Sequence, residues 1–175
     1  MEMKKAYIVS AKRTAIGSFL GGLSTVKPKD MGSTVVKALL EDAGVKPEQV
    51  DELICGNVLG AGLGQNIGRT IALEAGIPET VCAHSVNMVC GSGLRTVMEA
   101  VMSIQAGFND VVVAGGVESM SLAPYLVPAN TRTGNKMGDW KATDHMICLL
   151  YTSTWIIGIL PLWDIGFFEI RSCFF

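Results

Sequence analysis

The segment Asn87-Met88-Val89-Cys90-Gly91-Ser92-Gly93-Leu94 sets one thiol among small residues at the start of an apolar-periodic stretch. If a strand ends there and a helix begins, the unpaired N–H groups and positive dipole end of that helix favour thiolate over thiol. The same N–H groups suit a developing oxyanion. Gly91 and Gly93, lacking side chains, permit a tight turn and let a substrate carbonyl approach the backbone. The residues by themselves equally allow Cys90 to be a small buried hydrophobe, as most free cysteines are, with the glycines serving helix–strand packing.

The elements that must position this thiol alternate along the chain. Ala6 to Val9 has strand character, and Lys29 to Ala43 carries Met31, Val35, Leu39 and Leu40 at helical spacing before stopping at Gly44. Val50 to Val58 reads as a second strand and runs into Gly60-Ala61-Gly62-Leu63-Gly64, after which Asn66 to Ala75 reads as a helix closed by Gly76 and Pro78. Val86 to Val89 is strand-like, and Ser92 to Gln105 places Leu94, Val97, Met98, Val101 and Ile104 on one helical face. The continuous run Val111-Val112-Val113-Ala114 predicts a strand buried on both faces. Strand and helix in alternation predict an α/β fold, a mostly parallel sheet covered by helices. Cys90 then falls at a carboxyl strand end, where open α/β sheets place their sites.

Composition narrows the partners. In 175 residues, 14 Lys+Arg against 16 Asp+Glu leave no basic stripe for a phosphate backbone, which argues against nucleic acid and for a small neutral or anionic metabolite. The cysteines Cys55, Cys82, Cys90, Cys148 and Cys173 are odd in number and form no CxxC pair, so neither a disulfide framework nor a zinc site is indicated. Ala6 to Ala11 is too brief for a signal-peptide core, and a cytoplasmic, reducing location is expected. From Cys148 to Phe175 the composition shifts abruptly to apolar and aromatic residues, but Pro161 and Asp164 interrupt the run short of a membrane span. That tail has no clean period and reads as a foreign or out-of-frame segment, or else as a hydrophobic tail that packs on a partner.

The segments "YIVSAKRTAIGSFLGGL", "VLGAGLGQNIGRTIALEAGIPE", "NMVCGSGL" and "AGGVESMSLAPY" are collinear with, and together resemble, the amino-terminal half of the thiolases, over about residues 5 to 147. The resemblance implies a thiolase-like layered α/β fold, present as an incomplete amino-terminal half. It implies an amino-terminal domain over 1–118, the start of a loop domain over 119–147, and a non-family tail over 148–175. It implies that Cys90 is the acyl-accepting nucleophile of a ping-pong transfer between coenzyme A thioesters, with acyl-CoA as substrate and no further cofactor or metal. The full-length family is expected as a homodimer or homotetramer, active in fatty acid metabolism.

Three further segments that the resemblance calls for do not occur in this sequence: Asn-Glu-Ala-Phe, a Gly-His-Pro whose histidine activates the nucleophile, and a Cys-x-Gly-Gly whose cysteine is the acid/base. The only histidines are His84, which strand geometry points away from Cys90, and His145, in a loop. The chain alone is therefore expected to be inactive. Two other readings stay open: a condensing enzyme of the same superfamily, of the β-ketoacyl synthase type, and a non-catalytic fragment. The run Gly62-x-Gly64-x-x-Ile67 lacks the third glycine of a dinucleotide fingerprint, and the Ala114-Gly115-Gly116 turn lacks the lysine of a P-loop. The latter is expected to end the buried strand, with Glu118 and Ser119 lining the site from behind.

Overall fold

The computed structural model describes residues 4–134, 136–146 and 167–172. Its strands are β1 (Ala6–Lys12), β2 (Glu52–Gly56), β3 (Cys82–Val86), β4 (Val111–Gly116), β5 (Tyr125–Leu126), β6 (Thr143–Asp144) and β7 (Phe167–Ser172). The helices are α1 (Pro28–Ala43), α2 (Ile67–Ala75) and α3 (Ser92–Ala106). A five-stranded sheet runs in the order β1-β7-β4-β2-β3, with β2 parallel to both β3 and β4, and β7 antiparallel to β1 and β4. This is the expected mostly parallel α/β sheet.

Local chemistry explains the helix limits. Pro28 opens α1, where its missing N–H costs no hydrogen bond, and Gly44 ends it in the left-handed region at φ 65°. Asn66 caps α2 by accepting the Arg69 N–H, and Gly76 closes it at φ 90°. The alternation along β2 and β4 then splits the core. Leu53, Cys55 and Val113 pack with Val36, Leu39 and Ile71 on the α1/α2 side. Ile54, Val112 and Ala114 pack with Ala100 and Ile104 of α3 on the other. Both strands are thus buried on both faces, which is why β4 reads as an unbroken apolar run.

Two expectations are corrected. The strand before Cys90 is Cys82–Val86, not Val86 to Val89, because the chain turns at Asn87 despite the apolar Val86, Met88 and Val89 around it. The second strand stops at Gly56, and Asn57 and Val58 turn to meet Glu118. Residues 167–172, which showed no sheet periodicity in sequence, form a strand between β1 and β4. Two facing strand edges pair any extended backbone, so no alternation of hydropathy was required. The remainder of the 148–175 tail lies outside the described residues. Within 119–146 the chain adds the two-stranded β5–β6 sheet, with Tyr125 opposite Asp144.

Candidate active site

The parallel register of β2 with β3 and β4 brings three carboxyl ends together: Gly56 stands opposite both Val86 and Gly116. The chain leaves β3 at Val86, makes a turn through Asn87 to Gly91, and enters α3 at Ser92. Cys90 lies in that turn and is exposed, so it is not the small core hydrophobe that spacing alone allowed.

The turn is held from within. The Gly91 N–H donates to the Met88 carbonyl and the Ser92 N–H to the Val89 carbonyl, each at 3.1 Å. The Ser92 hydroxyl donates to the Val89 carbonyl at 2.6 Å and accepts the Met88 N–H at 2.9 Å. The Asn87 carboxamide oxygen accepts the Val89 N–H at 3.0 Å. Val89 is forced to φ 52°, a left-handed conformation that a β-branched residue adopts at a cost of about 1–3 kcal/mol. The turn therefore places strain next to the thiol. It also spends the Gly91 and Ser92 N–H groups internally, so the sequence expectation that the helix start offers these donors to an oxyanion does not hold for those two.

Behind the turn, the strand ends are fastened by two residues. The Asn57 N–H donates to the Val86 carbonyl at 3.0 Å, and the Asn57 carboxamide donates to the Val117 carbonyl and to Glu118 Oε1, both at 2.9 Å. Glu118 also accepts the Val58 N–H on Oε2 and the Leu59 N–H on Oε1. Burial pushes the Glu118 carboxyl above the usual carboxylate range, while the Leu59 and Val58 N–H groups and the charge of His145 pull it back. Gly56 completes the junction by contact, because a Cβ there would sit 2.7 Å from the Ser92 carbonyl carbon. Glu118 is thus fastened to the turn that leaves β2, and Ser119 beside it is half-buried. Asn57, Gly56 and Ser92 were not foreseen, since their roles lie in contacts between distant segments.

Neither histidine is hydrogen-bonded to the Cys90 turn among the described residues. His84 Nδ1 lies 3.3 Å from Glu52 and Nε2 3.3 Å from Glu99, on the flank where Arg95 also reaches Glu99. His145 Nε2 is buried and has no hydrogen-bond partner among the described residues. Cys55 is fully buried, and desolvation, with the Glu118 charge adding to it, pushes its thiol up to about 12. In α2 a Cβ on Gly68 would lie 2.5 Å from the His84 carbonyl oxygen, so α2 meets β3 only because position 68 has no side chain. Next to it a cleft of about 180 Å³ opens between the turn Asn57 to Gln65 and Ser85 and Asn87. Cys90 is not part of its wall. No cluster of metal-ligating side chains occurs among the described residues.

The family described as thiolase, N-terminal domain, matches residues 6–156. The chain belongs to the thiolase family. Thiolase relatives include the acetyl-CoA acetyltransferase of Escherichia coli (strain K12), 54% identical over 145 residues, covering 83% of this chain and 37% of that protein. The cytosolic acetyl-CoA acetyltransferase of Mus musculus is 52% identical over 141 residues, covering 81% of this chain and 35% of that protein. The Bacillus anthracis acetyl-CoA acetyltransferase superposes with a TM-score of 0.80 at 37% identity, over 85% of this chain and 38% of that one. This thiolase chain therefore spans a little over a third of the length of these relatives, and the elements just described are what that third contains.

Proposed function

We propose that the chain carries the nucleophile of a thiolase that transfers acyl groups between coenzyme A thioesters, acetyl-CoA and acetoacetyl-CoA first among them. The observation that supports this best is the exposed Cys90 at the β3–α3 junction of a family member whose relatives carry the name acetyl-CoA acetyltransferase. The Cys90 sulfur attacks the thioester carbonyl; the new C–S bond forms as the bond to the coenzyme A sulfur breaks, and that sulfur takes the proton. Exchange of one thioester for another is nearly isoenergetic, so the acyl group stays transferable. A second acetyl-CoA, deprotonated at its methyl, then attacks the enzyme thioester to give acetoacetyl-CoA and restore Cys90. Coenzyme A and acetoacetyl-CoA run the same steps in reverse.

The chain supplies the sulfur and its platform, not the proton chemistry. His84 is engaged by Glu52 and Glu99, and the Gly-His-Pro and Cys-x-Gly-Gly segments implied by the resemblance are absent from the sequence. The 175-residue chain alone is then a non-catalytic piece of the machinery. We place the full-length enzyme in the cytoplasm, in fatty acid metabolism, as a homodimer or homotetramer without further cofactor. The free Cys55, Cys82 and Cys90 thiols support a reducing compartment, and the position of β3 at an edge of the sheet supports association with a second copy.

Thiolysis of acetoacetyl-CoA, followed by loss of its enolate absorbance with coenzyme A present, tests the reading. Expected results are background rates for the 175-residue chain, turnover when residues 1–147 are joined to the carboxyl part of a thiolase, and loss of that turnover on Cys90→Ala. An active Cys90→Ala fusion refutes the nucleophile assignment. A fusion that condenses only acyl carrier protein thioesters favours the β-ketoacyl synthase reading instead.

A further inference from the structure

Glu118 is a half-buried carboxylate that the proposed reaction does not use. No salt bridge reaches it among the described residues, and its three short contacts are all with one turn: the Asn57 side chain and the Val58 and Leu59 N–H groups. Among the described residues, that turn is joined to the nucleophile's strand by the hydrogen bond from the Asn57 N–H to the Val86 carbonyl. Val86 is the last residue of β3, and the turn carrying Cys90 departs from it. On the other side, the Val117 N–H donates to the Gly56 carbonyl at 3.0 Å, and the Thr96 hydroxyl ties the Gly93 carbonyl to the Gly115 carbonyl. A carboxylate with two oxygens suits this junction, because both can accept N–H groups that would otherwise be buried without partners.

We propose that Glu118 is a positioning residue for Cys90, acting through Asn57 and Val86 to hold the strand end from which the nucleophile turn is built. The proposal rests on the reading of Cys90 as the nucleophile. Without Glu118 the Val58 and Leu59 N–H groups must find other acceptors, the turn shifts, and the Asn57–Val86 hydrogen bond weakens. Cys90 is already exposed, so a loosened turn brings the thiol no new access. What it loses is a fixed orientation against the amino end of α3, on which reactivity at such a position depends.

The test uses the full 175-residue chain and a readout independent of acyl transfer: the ratio of Cys90 to Cys82 alkylation by limiting iodoacetamide, mapped by mass spectrometry. Cys82 is exposed at the opposite end of β3 and serves as internal reference. Glu118→Ala is expected to lower the ratio about three- to tenfold, the range set by the net worth of one hydrogen bond. Asn57→Ala should lower it likewise, the double variant should be no worse than either single one, and Glu118→Gln, keeping one acceptor oxygen, should fall between. An unchanged ratio in folded Glu118→Ala and Glu118→Gln overturns the proposal, as do additive effects of the two alanine substitutions. Loss of cooperative unfolding in all the variants also overturns it, by showing a requirement of the whole fold rather than a local hold. Because the readout is alkylation, a failure of the acyl-transfer reading shows separately, in the thiolysis assay.

Discussion

The Ser92 hydroxyl donates to the carbonyl of Val89 at 2.6 Å, closing a bracket around a valine held at φ 52° immediately before Cys90. The bracket opposes strain with a hydrogen bond on the same four-residue stretch, Val89 to Ser92. Ser92→Ala removes the donor to Val89 and the acceptor of the Met88 N–H, and is expected to destabilise the fold by about 1–3 kcal/mol. Val89→Gly relieves the strained φ and is expected to be neutral or stabilising by up to about 1 kcal/mol, after the extra chain entropy of glycine is counted. Urea titration of both variants measures this, and a Val89→Gly protein clearly less stable than the parent would show that the valine is not strained.

The three described thiols should separate by reactivity. Cys55 is buried with its thiol pushed up to about 12, so at pH 8 only roughly one molecule in ten thousand carries the thiolate. Native-state alkylation should therefore mark Cys90 and Cys82, Cys90 faster because it stands at a helix start, and leave Cys55 unmodified until the chain is unfolded. Labelling of Cys55 in folded protein at a rate near that of Cys90 would contradict the described core.

Close backbone contacts make two glycines irreplaceable and leave a third free. A Cβ at Gly56 would lie 2.7 Å and 2.8 Å from backbone atoms of Ser92 and Gly93, and one at Gly68 would lie 2.5 Å from the His84 carbonyl oxygen. Neither neighbour is the flexible end of a side chain, so Gly56→Ala and Gly68→Ala should each cost about 1–3 kcal/mol or more. A Cβ at Gly22 meets nothing within 4 Å, and Gly22→Ala should be within about 0.5 kcal/mol of the parent. Thermal unfolding of the three variants decides the order.

Glu118 gives the stability a definite pH dependence. Its carboxyl is raised in the folded protein, chiefly by burial, above the ordinary value of 4.5, so between that value and the raised one the folded state binds more proton than the unfolded. Its contribution to stability is therefore greatest below 4.5 and is lost as pH rises through the folded value. Glu118→Gln removes this titration. The melting temperature of the parent minus that of Glu118→Gln should fall as pH is raised across that window and then level off, and a difference that instead grows with pH would reverse the assignment of burial as the dominant cause.

The sequence by itself determined the helices and the buried strand, because each is specified by neighbours in the chain: the spacing of Val35, Leu39 and Leu40, the Gly44 and Gly76 stops, and the run Val111 to Ala114. It also determined that a thiol stands where a strand gives way to a helix, and the family motif around Cys90 marked that thiol out. It misplaced the last residues of β3, because Val86, Met88 and Val89 are apolar whether the backbone is extended or turned, and only the hydrogen bonds of Asn87 and Ser92 distinguish the two. The tertiary structure alone decided how Asn57 and Glu118 meet, 61 positions apart in the chain, and why Gly56 has no side chain where α3 crosses it. Those contacts follow from the parallel register that aligns Gly56 with Val86 and Gly116, and register between strands is set by packing across the whole sheet, which no single segment encodes.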